Sequence, residues 1–88
     1  MPAHAPFARR AFELRDRVSE RERYSISFRY YRDATQNWDQ ALEVSRLWSA
    51  AYPREALAFN SLAISLLRFG RYEETLPAYR EAIRLEPK

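Results

Sequence analysis

The sequence predicts an all-α fold of antiparallel helical hairpins, about five helices in all, and three observations carry that expectation. The 88 residues hold a single glycine, Gly70, and few clusters of Asn or Ser, so material for β-turns is scarce, while Ala, Leu, Glu and Arg are abundant. Apolar residues recur at three- and four-residue steps, the period of one helical face, and not at alternate positions. Four positions, Trp38, Ala41, Leu42 and Pro53, have counterparts 34 residues later in Tyr72, Thr75, Leu76 and Pro87, the mark of a repeated helical unit.

Residues 1–6 read as a disordered start, with neither the basic nor the apolar stretch of an export signal. In residues 7–18, Phe7, Ala8, Ala11, Phe12 and Leu14 space one helix ending near Arg17, the second half of an incomplete preceding unit. Residues 19–53 form one unit. Ser19-x-x-Glu22 has the form of a capping box and opens a helix to about Thr35 with Tyr24, Phe28 and Tyr31 along its stripe. Its partner runs from Trp38 to Ala51. Residues 54–88 form the next unit, with a helix from about Arg54 to Phe69 bearing Ala56, Phe59, Leu62, Ala63, Leu66 and Leu67 on one face. A second helix carries Tyr72, Leu76, Tyr79, Ala82 and Ile83 and stops at Pro87, which cannot continue the helical ladder. Gly70 stands between them as the C′ residue, where a left-handed backbone closes one helix and turns the chain into the next. Pro77 lies inside the last helix, where it should remove a hydrogen bond and bend the axis.

The last unit resembles a tetratricopeptide repeat. Phe59-x2-Leu62-Ala63-x2-Leu66, Thr75-x3-Tyr79 and Pro87 follow the Trp-x2-Leu-Gly-x2-Tyr, Ala-x3-Phe, Pro pattern in register, and Gly70, Tyr72 and Ala82 fall where that family carries glycine, an aromatic and alanine. The resemblance implies a short right-handed solenoid in which Ala63 and Ala82 let the helices approach while Phe59, Leu62, Leu66 and Tyr79 fill around them. The unit before it is degenerate: Gln36 replaces the corner glycine, Ser45 stands where an aromatic is common, Trp48 where a small residue is common, and the first helix fits best with one residue inserted before Trp38. The stretch from Phe12 through Tyr30-Tyr31 to Pro53-Arg54 also resembles the C-terminal repeat region of some bacterial serine/threonine kinases and multidomain regulators, which implies a piece of a larger regulatory protein.

Chemistry narrows the classes. With no cysteine there is no disulfide framework, thiolate metal site or cysteine nucleophile. No glycine-rich phosphate loop, kinase motif or metal-ligand spacing around the lone His4 occurs, so neither a catalytic activity, a metal nor a cofactor is expected. Glu73-Glu74 belong to a first helical turn, where acids favour the helix dipole. The absence of any long apolar run excludes a membrane helix and, with the missing cysteines, points to the cytoplasm. The net charge of +3 sits in residues 1–35, eight arginines against five acids. In that third Glu13, Asp16, Glu20 and Glu22 interleave with Arg9, Arg10, Arg15, Arg17, Arg21 and Arg23 at ion-pair spacing, which argues against a phosphate-tracking surface for nucleic acid.

A protein-binding scaffold is therefore the expected function. By the repeat register, Leu57, Asn60, Ile64, Leu67 and Arg68 face the concave side, joined by Ser25, Arg29 and Arg32, an apolar floor beside arginines suited to an acidic or carboxylate-ended peptide. The alternative is self-association into a homodimer through the last helix, whose Leu76, Tyr79, Ile83 and Leu85 would lack cover if the chain ends at Lys88 as a fragment. Trp38, Trp48, Tyr24, Tyr30, Tyr31 and Tyr52 read as hairpin core.

Overall fold

The computed structural model describes residues 5–15 and 18–86. The expectations placed on residues 1–4, Asp16, Arg17, Pro87 and Lys88 lie outside them. Among the described residues every regular element is helical: α1 (Ala5–Glu13), α2 (Glu20–Arg29) continuing into a π-helical turn (Tyr30–Ala34), α3 (Trp38–Ala51), α4 (Ala56–Arg68) and α5 (Tyr72–Leu85). Each packs chiefly on its neighbours in the chain. Helix α1 already includes Ala5 and Pro6, so regular structure begins inside the stretch expected to be disordered. None of these helices is long and apolar enough to cross a membrane.

Local chemistry sets the boundaries. Ser19 caps α2: its Oγ accepts from the Glu22 amide at 3.2 Å, and its hydroxyl donates to Glu22 Oε1 at 3.1 Å, so the Glu returns to the hydroxyl and not to the backbone of the cap. Asn37 caps α3 through Oδ1, which accepts from the Gln40 amide at 3.2 Å. At the far end of α4, Gly70 has φ +71°, the Arg71 amide donates to Leu66 O at 3.0 Å and the Gly70 amide to Leu67 O at 2.9 Å. Those two bonds are the Schellman closure, and Gly70 is its left-handed C′ residue as the sequence implied. Helix α5 carries Pro77 in its interior and continues through it to Leu85.

The corner after α2 solves the same problem with different residues. The Thr35 amide bonds Tyr30 O at 3.2 Å, an i to i−5 contact, and Gln36 adopts φ +53° where the other corner has glycine. The Asn37 amide then closes on Tyr31 O at 2.8 Å, and Thr35 Oγ1 donates to the same carbonyl at 3.2 Å. A π turn holds one residue more than an α turn, so it takes up the extra residue that the spacing before Trp38 called for.

Two clusters make the core. Phe28, Ala41, Trp48 and Ala58 are buried together, with Tyr24, Tyr31, Trp38, Val44 and Tyr52 packed against them; Ala63, Leu66 and Ala78 form the second, flanked by Leu42 and Leu62. Ala41, Ala58 and Ala63 are wholly inaccessible, which is what close helix approach requires. Trp48 and Ser45 are also fully buried. The indole therefore fills the first hairpin at the place where the second has Ala82, and the buried Ser45 stands where the second has Tyr79, which is exposed. Buried hydroxyls bond back into their own helices, Ser45 to Leu42 O at 2.8 Å and Ser65 to Ser61 O at 3.0 Å, so they cost little.

Side chains tie the helices together at the rim. Phe12 stacks on Tyr30 with centroids 3.8 Å apart, and the Arg15 guanidinium lies 3.7 Å from the Phe12 centroid, fixing α1 to the π turn. Arg21 reaches Glu55 at 2.7 Å and the Tyr52 hydroxyl donates to Glu20 at 3.1 Å, joining the start of α2 to the turn before α4. Glu74 bridges Arg46 at 3.1 Å and Arg71 at 2.9 Å, joining α3 to α5.

Candidate protein-interaction site

Two clefts and one apolar stripe hold most of the residues expected to bind. The first cleft, about 450 Å³, lies between α1 and α2 with its π turn, and is lined by Phe7, Ala8, Ala11, Ile26, Arg29 and Arg32. The second, about 410 Å³, lies between α4 and α5 and is lined by Leu57, Asn60, Tyr79, Ala82, Ile83 and Glu86.

The residues expected on one concave floor divide between these places. Arg29 and Arg32 share the first cleft, and Asn60 belongs to the second. Ile64, Leu67 and Arg68 line neither. Arg32 is engaged already: Nε meets Asp33 Oδ1 at 2.7 Å and a terminal nitrogen meets Oδ2 at 2.9 Å, a bidentate pair beside the Phe28 ring, 5.5 Å from its centroid. The hydrogen bond to Asp33 raises the Arg32 pKa against the opposing pull of burial, so this cation is neutralised in place. Arg68 lies over Trp38, 5.8 Å from the ring centroid. An acidic ligand would have to compete with Asp33 for Arg32 and would find Arg68 elsewhere.

The residues expected to self-associate fare differently. Leu76 and Ile83 are exposed at 55% and 67%, Tyr79 joins them at 37%, and Leu85 is half-buried. Tyr79 thus does not fill the hairpin core as the repeat pattern implied, and Tyr72, 66% exposed, does not either. The physical reason is geometric: Thr75, Ala78 and Ala82 are the buried residues of α5, and positions 72 and 79 project to the side of that line, Tyr79 at the mouth of the cleft with α4. With Leu57 of α4, itself exposed, these side chains make an apolar edge running along one side of the α4–α5 hairpin. Sequence reasoning placed Tyr72 on one stripe with Leu76, Tyr79 and Ile83 but left it out of the self-association set, and gave Leu57 to the concave side; the shared stripe was the available signal for Tyr72.

Of the described arginines weighed for nucleic acid, Arg21 is paired with Glu55, Arg10 approaches Glu13 at 4.0 Å and Arg15 is stacked on Phe12, so these three are engaged within the fold. No protein-family model, curated protein or solved structure matches the chain.

Proposed function

We propose that the chain is a non-catalytic protein-binding module of tetratricopeptide type that accepts an amphipathic helix along the α4–α5 edge, as part of a larger cytoplasmic regulator. The observation that carries this reading is the apolar cleft of about 410 Å³ between α4 and α5, with Leu57 and Ile83 exposed at its rim over a core of small residues. Such a groove suits helix-in-groove recognition, in which apolar anchors at i, i+3, i+4 and i+7 supply most of the affinity. The solenoid of stacked hairpins is supported by the 34-residue register and by chain neighbours packing on one another. Peptides of about 15 residues, selected for binding and then synthesised as amphipathic helices, test it by calorimetry. Dissociation constants on the order of 1–100 μM that weaken at least about tenfold in Leu57→Asp and hold in Arg29→Ala are expected. Selected peptides that bind Leu57→Asp as well as the parent chain overturn it, and dependence on Arg29 instead would transfer the function to the cleft beside α1.

A further inference from the structure

We infer that the helix taken up by this edge is α5 of a second copy, paired antiparallel across a two-fold axis; the inference rests on the reading of the α4–α5 edge just given. The exposed apolar residues of α5 are Tyr72, Leu76, Tyr79 and Ile83, at steps of four, three and four. That is the a/d spacing of a coiled-coil seam, narrower than the broad stripe with which a helix packs into a globular core. The core stripe of α5 is a separate line, Thr75, Ala78 and Ala82, so one helix serves two partners.

Charge selects the occupant. Five charged residues lie within α5. Glu74 is held by Arg46 and Arg71, and Glu81 by Arg84 at 2.5 Å. Glu73 and Arg80 have no partner among the described residues, carry opposite signs and stand seven residues apart on the outer flank of the seam, each one position after a seam residue. Antiparallel pairing centred between Leu76 and Tyr79 sets Tyr72 beside Ile83 of the partner subunit and Leu76 beside Tyr79 of the partner subunit. It also sets Glu73 opposite Arg80 of the partner subunit, and the two-fold axis repeats the ion pair. A parallel pairing in register would instead put each of these charges on the opposite side of the seam from its copy, facing the line of Thr75 and Ala82 with no opposite charge to meet, and would align the helix dipoles unfavourably. The surface is thus complementary to itself in one orientation.

The seam spans roughly 17 Å, from eleven rises of about 1.5 Å, so the pair belongs with interfaces below about 1,200 Å² and dissociates in the range of about 10–100 μM. Sedimentation equilibrium from about 10 μM to about 1 mM reads it directly. The parent chain is expected to pass from one chain to two across that range. Glu73→Arg and Arg80→Glu, each on an exposed position, should keep the helical circular dichroism and urea midpoint of the parent while each weakens dimerisation at least about tenfold by setting like charges together. An equimolar mixture of the two variants should dimerise again. In that heterodimer one chain is positive at positions 73 and 80 and the other is negative at both, so both ion pairs return. A parent chain that keeps the mass of one chain at the highest concentration overturns the inference, as do single variants that dimerise like the parent or a mixture no tighter than its components. Helical peptides that still bind a monomeric parent through Leu57 would leave the docking edge standing and remove only the second copy as its occupant; if they too fail, the docking edge itself is wrong.

Discussion

The two corners place a left-handed backbone on different residues, and exchanging the residue at each gives opposite effects. Gly70 has φ +71°, and a Cβ built there would meet only the Tyr72 hydroxyl at 3.9 Å, an ordinary contact. Gly70→Ala therefore carries no steric clash with its surroundings, and the left-handed backbone cost of about 1–2 kcal/mol is partly offset by the smaller conformational freedom of alanine in the unfolded chain, for a net loss of about 0.5–1 kcal/mol. Gln36 already bears that cost at φ +53°. Gln36→Gly releases it but adds the larger conformational freedom of glycine in the unfolded chain, for a net gain of about 0.5 kcal/mol. Gln36→Ala keeps the left-handed cost and should be close to neutral. For a domain of this size a change of about 1 kcal/mol moves the melting temperature by roughly 4–8 °C, so the signs are resolvable by thermal and urea unfolding followed by helical circular dichroism. Gly70→Asn adds a check, because asparagine tolerates the left-handed region better than alanine and should fall between parent and Gly70→Ala. Equal stability of Gly70→Ala and the parent, or a loss in Gln36→Gly, would refute the view that both corners are left-handed helix closures.

Other expectations follow from burial and titration. Ala63 is wholly buried between α4 and α5, so Ala63→Leu should overpack the contact and lower the urea midpoint by an amount equal to about 1–3 kcal/mol, with part of the loss recovered when Leu66 is shortened to alanine in the same chain. The Tyr52 phenol has its pKa raised above the ordinary 10.0, first by burial and then by its hydrogen bond to Glu20. The fold favours the protonated phenol, so the stability it contributes is present in full below pH 10 and is lost as the pH climbs through the raised value. Urea midpoints measured on either side of that pH should fall more for the parent than for Tyr52→Phe; identical alkaline losses in the two chains would show that this phenol is not the group responsible.

How far the fold can be read from the sequence is decided by what each residue has to satisfy locally. The boundaries of α3, Trp38 and Ala51, are legible because Trp38 and Pro53 recur 34 residues later as Tyr72 and Pro87, and the structure adds the local device that fixes the start, the Asn37 cap. Gly70 is legible because a left-handed C′ residue favours glycine. The π turn is not, since an i to i−5 bond has no side-chain signature; its trace in the sequence is one residue too many before Trp38, and spacing alone does not say whether a loop or the helix absorbs it. Gln36 as a left-handed residue is visible only by its rank in the register, because glutamine itself carries no preference for that region.

The binding surfaces are harder to read because they depend on pairs of residues brought together by packing, and a repeat register predicts one line of a helix at a time. The register puts Arg29, Arg32, Asn60 and Arg68 on a common side, yet Arg32 answers to Asp33 and the Phe28 face, and Arg68 to Trp38. Those two charges are engaged within the fold before any ligand arrives, which is why a row of arginines does not amount to an anion site. The same reasoning explains Ser45 and Trp48. Read singly, each breaks the pattern, small where large is common and large where small is common. Read as a pair on one face of α3, three residues apart, they keep the buried volume and shift it by one helical turn, which lets the first hairpin pack tightly with side chains that the pattern would reject. Tyr72 and Tyr79 are the reverse case, matching the pattern in type while standing exposed, because an aromatic at a packing position is buried only if something lies against it. On α5 the charged residues without a partner among the described residues are those beside that exposed line, Glu73 and Arg80, so unpaired charge and exposed apolar surface coincide on the side of the helix turned away from its core stripe.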